Sequence, residues 1–160
     1  MTVRAACAAM TVIVVTASLL AGFSADNPLV WQREGIVHGE GWRLFSAHLV
    51  HLNPQHLVMN VLGLWVVTEL LCETLTARQW ISLLTVCALG TSLLLLLLQA
   101  QLQWYAGLSG VVHGLWSGGA AFRWLHERKS ASLLALLALF ARLLSGIHIV
   151  SEFPVIAEAH

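Results

Sequence analysis

The sequence predicts an all-α polytopic membrane protein, and three observations carry that reading. Apolar residues make up 58% of the 160-residue chain and charged residues only 10%, with a mean hydropathy of +0.79. That balance is far from the composition of a soluble domain. Apolar runs of about 16 to 20 residues recur along the chain, close to the length a helix needs to cross a bilayer core. Polar breaks separate the runs, and the net charge is zero, so nothing points to nucleic acid as a partner. At this length one membrane domain over residues 1–160 is expected.

The elements follow in order. Ala5–Phe23 has no charge. Arg4 and Met10–Leu20 sketch a removable signal, but Phe23 stands where cleavage after Ala25 needs a small residue, so a retained span is expected. Residues 24–55 form a long external loop with Trp31, Trp42, Arg43 and the histidines His38, His48 and His51. Loops of that length are usually functional or partly embedded, and the tryptophans suit a re-entrant or surface-lying element at the bilayer interface. Leu57–Cys72 is apolar apart from Glu69, and Trp80–Leu98 closes on six consecutive leucines. Gly107–Leu125 is the fourth span. Ser132–Val150 is the fifth and carries Arg142 near mid-membrane, for which Glu69 is the acid on offer. Phe153–His160 starts like a sixth helix, with Pro154 in its first turn.

Basic residues set the orientation. Arg4, Arg78, Arg123, Arg128 and Lys129 fall on one side of alternating spans, and Arg33 and Arg43 on the other. The N-terminus is therefore expected in the cytoplasm, with the head of the fourth span facing outward. Cys7, Cys72 and Cys87 form no CxxC pair and read as small buried residues.

The chemistry concentrates in three places. Ser109 lies in Gly107-Leu108-Ser109-Gly110, at the mouth of a span rather than its middle. Gly110, Gly114 and Gly118 are spaced by four and line one helix face, which lets a neighbouring helix come to backbone contact. Val111 replaces the second glycine of the soluble-hydrolase nucleophile elbow, so that motif is absent. A serine nucleophile needs a base. His113, one turn on, and His160, remote in sequence, both remain candidates from spacing alone. His56 and Asn60 are a turn apart at the outer end of the second span and offer donors suited to an oxyanion. His48, His51 and His56 lie close together, but no HExxH string or carboxylate accompanies them, so neither a metal nor another cofactor is expected. A haem-binding or transport role for His48, His51, His113 and His148 rests on scattered histidines only.

Taken together, His51…His56…Asn60, Gly107-Leu108-Ser109-Gly110 and Ala159-His160 resemble the rhomboid protease family in residue type, order and position relative to the spans. Trp42-Arg43 in the long loop matches a further rhomboid feature. The resemblance implies a bundle of six transmembrane helices, Ser109 as nucleophile and His160 as general base. It implies an oxyanion hole of His56, Asn60 and the backbone N–H of Ser109, with no acid partner, hence a dyad. The string Gly-Leu-Ser-Gly-Val-Val-His-Gly at 107–114 is most similar to the rhombosortase branch, associated with C-terminal sorting tails of exported proteins. The expected function is an intramembrane serine endopeptidase of the bacterial inner membrane, opening to the external side. Its expected partners are the bilayer and a substrate's transmembrane segment or C-terminal tail. The alternative is an inactive or truncated rhomboid-like protein that binds transmembrane helices without cutting them. The sixth helix is expected to be truncated here, at a stub over 153–160, so that the glycine stripe lacks part of its partner. A fragment or frameshifted product of an active protease is the expected origin.

Overall fold

The computed structural model describes the backbone of residues 1–127 and side chains as far as residue 124. The fifth apolar run, the stub at 153–160, Arg142 and His160 lie outside the described residues. Met1–Trp116 form one compact unit, and the packing described below lies within it. Helices dominate, joined by one two-stranded ladder.

Helix α1 (Val3–Ala21) begins where the Thr2 hydroxyl accepts the N–H of Ala5 and ends at Gly22, whose φ of 76° suits glycine. The long loop that follows is structured. It contains β1 (Trp31–Gln32), the short α2 (Arg33–Val37) and α3 (Arg43–Ser46). Helix α4 (Pro54–Leu71) starts with Pro54 in its first turn and Asn53 as cap, whose Oδ1 accepts the N–H of His56 at 2.7 Å. Helix α5 (Ala77–Leu98) opens on a capping box between Thr76 and Gln79. Strand β2 (Trp104–Tyr105) pairs antiparallel with β1, setting Trp31 opposite Tyr105 and Gln32 opposite Trp104. Helix α6 (Ser109–Glu127) then begins at the serine itself.

Helices α1 and α5 are long and apolar enough to cross a membrane by length and composition. The buried residues of α5 are Trp80, Leu84, Ala88 and Ser92, a single stripe at spacing four. Leu93, Leu94, Leu97 and Leu98 project outward from the same helix, as side chains facing lipid tails do. The core of the unit is built from Cys7 and Val14 of α1, Leu64 and Val67 of α4, Trp80 of α5, and Leu108, Val111 and Leu115 around α6.

Polar pairs fix how the helices meet. Trp65 donates its indole N–H to Thr11 at 3.0 Å, joining α4 to α1. At the end of the unit where α1 begins and α4 finishes, Arg4 grips both oxygens of Glu69, with Nη2 to Oε2 at 2.9 Å. The acid that the sequence offers to Arg142 thus has Arg4 as its partner. Gly110 and Gly114 of the stripe pack against α5: a side chain at Gly110 would meet Thr91, and one at Gly114 would meet Cys87.

Candidate active site

The site is assembled by the chain just before α6. Gly107 has φ of 117°, a conformation that side-chain-bearing residues rarely adopt. Its N–H donates to the Ala47 carbonyl at 2.8 Å, and its own carbonyl lies 3.2 Å from Nδ1 of His48. Space gives a second reason for glycine. A Cβ there would stand 2.6 Å from Cε1 of His56 and 3.4 Å from Nδ2 of Asn60. Both side chains therefore come against the turn that delivers Ser109, and this position admits nothing larger than hydrogen.

Ser109 and His56 line the same open cleft, about 510 Å³, together with Leu52, Trp104, Tyr105 and Ala106. Asn60 is not on that lining. It is buried next to Gly107, and its Nδ2 has no hydrogen-bond partner among the described residues. An unpaired buried donor is costly, and this one lies against the turn that delivers Ser109. The Ser109 Oγ lies 3.1 Å from the hydroxyl of Tyr105. His113, the nearer of the two candidate bases in sequence, places Nδ1 2.7 Å from the Ser109 backbone carbonyl, one turn back on α6. That contact involves the main chain rather than the hydroxyl. The other candidate, His160, lies outside the described residues.

Around this mouth sits a ring of supporting polar groups. His51 is buried, with Nδ1 3.1 Å from the Ser18 hydroxyl and its ring edge-on to His56 at a centroid distance of 5.1 Å. The Ser18 hydroxyl donates to the Leu49 carbonyl, so Nδ1 of His51 carries the hydrogen and Nε2 is left as a lone pair. No partner for that Nε2 is found among the described residues. Burial, with a smaller contribution from neighbouring His56, pushes the His51 pKa down to about 4. His48 is buried between the loop and α5, with Nε2 3.0 Å from both the Ala88 carbonyl and the Ser92 hydroxyl. Burial lowers its pKa, opposed by the carbonyls of Gly107 and Ala88. Arg43 is buried, pairs with Glu40 and donates Nη1 to the Val30 carbonyl at 2.7 Å. Trp42, just before it, is 55% exposed, which fits a side chain resting in the interface.

Sequence reasoning missed two residues that shape the site. Tyr105 is the chain's single tyrosine and carried no motif, yet the turn at Gly107 folds it back onto the serine. Arg33 counted only toward orientation. It reaches the far end of α5 and donates to the carbonyls of Leu95, Leu96, Gln99 and Leu102 at 2.8 to 3.0 Å, tying the end of that helix to the segment that follows it.

A helical membrane bundle with a serine at the head of a helix, above a cleft flanked by histidine and a buried asparagine, defines a class of its own. The rhomboid domain model matches residues 38–160. The chain belongs to the rhomboid family, and so is an integral membrane protein. It is 29% identical over 113 residues to the rhomboid protease GlpG of Klebsiella pneumoniae subsp. pneumoniae strain ATCC 700721 / MGH 78578, and equally so to that of Klebsiella pneumoniae strain 342. The match covers 67% of this chain and 40% of either relative.

Proposed function

We propose that the chain is an intramembrane serine endopeptidase working by a Ser109–His160 dyad. Ser109 attacks the substrate carbonyl while His160 takes its proton. His56, Asn60 and the Ser109 N–H hold the oxyanion, and water then hydrolyses the acyl-enzyme from the outer side. The reading extends to a single six-helix domain in the bacterial inner membrane, with a cytoplasmic N-terminus. Its substrates are membrane-anchored or C-terminally tailed exported proteins, as befits the rhombosortase branch. The observation that carries the proposal is the packing of His56 and the unpartnered Asn60 amide against Gly107, two residues before a serine that opens onto the same cleft as His56. An Asn60 Nδ2 so held, with no acceptor among the described residues, suits a charge that exists only during reaction.

The test is labelling by a fluorophosphonate in native membranes, alongside cleavage of a reporter carrying a C-terminal Gly-Gly tail and a membrane segment. Wild-type protein should label and cut, while Ser109→Ala and His160→Ala should do neither. Labelling that persists in Ser109→Ala refutes the serine assignment. Labelling without cleavage of any tailed reporter refutes the branch but leaves the protease.

A further inference from the structure

We propose that Tyr105 is a catalytic hydrogen-bond donor to the serine oxygen, an assignment that rests on Ser109 being the nucleophile. Three contacts fix the tyrosine. Its strand β2 is paired to buried Trp31, its ring meets the edge of His48 at 5.9 Å, and its hydroxyl accepts the N–H of Gly110 at 3.2 Å. That N–H is one of the first four of α6, which have no partner inside the helix.

The direction of the 3.1 Å contact between Tyr105 Oη and Ser109 Oγ follows from this. A phenol has one proton to give, and its oxygen is already accepting from Gly110. Accepting that bond polarises the O–H and makes it a better donor. A phenol is also a stronger acid than an alkyl alcohol. Tyr105 therefore gives its proton to Oγ, and the serine's own hydrogen is left to point elsewhere, toward a base.

The consequence for reaction balances simply. As Oγ bonds to the substrate carbonyl carbon, its hydrogen leaves to the general base, and Tyr105 keeps its own proton throughout. The partial negative charge on Oγ on the way into and out of the acyl-enzyme is met by a fixed O–H dipole. Tyr105 takes no proton and forms no bond to substrate.

Because the chain has one tyrosine, isotope and fluorine labels on tyrosine report on this residue alone. Two measurements test the assignment. In native membranes, beyond the modest fall in melting temperature that the stranded Gly110 N–H brings, Tyr105→Phe should slow fluorophosphonate labelling of Ser109 by about 10-fold per folded molecule. That is less than the roughly 100-fold or more of an oxyanion donor, since the bond acts on the nucleophile. Incorporated 3-fluorotyrosine, a more acidic phenol of nearly the same shape, should label at least as fast as wild type at about neutral pH. Independently of turnover, the infrared C–O stretch of ¹³C-tyrosine should have the frequency of a donating phenol and shift in Ser109→Ala. A wild-type labelling rate in Tyr105→Phe, or a C–O band that Ser109→Ala leaves in place, overturns the proposal. Should Tyr105→Phe fail to fold, the infrared band decides. Equal labelling of wild type and Ser109→Ala would instead remove the protease reading, a different result from equal labelling of wild type and Tyr105→Phe.

Discussion

Two sets of polar side chains, one reaching the turn at Gly107 through His48 and the other through Asn60, differ in how far their hydrogen bonds are used. On one side, His48, Ser92, Arg33 and Arg43 reach main-chain carbonyls of the loop, of α5 or of the turn itself. Opposite them, Asn60 and His51 each keep one nitrogen without a partner among the described residues. The indole nitrogens of Trp31 and Trp80 share that condition, but the Asn60 nitrogen is the one found beside Gly107. A saturated group holds structure together, because removing it strands its partners. An unsaturated one lowers stability until something arrives to use it. The first set should therefore report on folding and the second on reaction.

Asn60→Ala puts this contrast at most risk. Loss of an oxyanion donor should reduce kcat by about 100- to 1000-fold, while the melting temperature stays or rises, since the removed Nδ2 has no partner among the described residues. Kinetics on a tailed reporter and a thermal melt in the same lipid check both halves. A fall in melting temperature that parallels the fall in rate would place Asn60 in the structural set and erase the distinction.

His48→Ala should do the reverse. It strips the ring from the Gly107 and Ala88 carbonyls and from Ser92, and each buried group left unpaired costs about 1–3 kcal/mol. Protein that remains folded at low temperature should retain most of its labelling rate per folded molecule. Arg33→Met is milder, because its carbonyl partners lie at a helix end that is only partly buried. A loss of about 1–2 kcal/mol by chemical denaturation in detergent, with KM unchanged, is expected. Should Arg33→Met abolish activity at full stability, the saturated set would contain a functional member.

How much of this was legible beforehand follows the same division. The helices now at Val3–Ala21, Pro54–Leu71, Ala77–Leu98 and Ser109–Glu127 lie within three residues of the runs read from hydropathy, because a long apolar helix is written in composition over a long window; of these, the first and third are long and apolar enough to cross a membrane. Inside the loop, α2, α3 and the β1–β2 pairing were not readable. They are two to five residues long, too short for a periodic pattern, and the pairing of Trp31 with Tyr105 joins positions far apart in sequence. The glycine at 107 was marked as part of a motif, but its two physical reasons, φ and the His56 ring, needed coordinates. Thr91 and Cys87 of α5 meet Gly110 and Gly114, while the part of the stripe's partner expected from the sixth helix lies outside the described residues.

The smallest expected effect is a pH dependence of stability from His51, which lies in the connection between α3 and α4. Its folded pKa is pushed down to about 4 from an ordinary value of 6.5, chiefly by burial and then by the charge of His56. Between those two values the unfolded chain binds more protons than the folded one, so stability rises with pH across that window. The contribution is complete above about 6.5 and is lost progressively as pH falls toward 4. Below that, the group adds no further slope. His48, whose pKa is also lowered by burial, pulls in the same direction, so the wild-type curve alone cannot assign the effect. The difference between wild type and His51→Gln can: the mutant's melting temperature should decline less on acidification from pH 6.5 to 4, and the two curves should run parallel above pH 7. Parallel curves over the whole range would mean that His51 meets enough water, or a hydrogen-bond acceptor for a protonated Nε2, to titrate as it does in the unfolded chain. Its open nitrogen would then belong to solvent and not to the site.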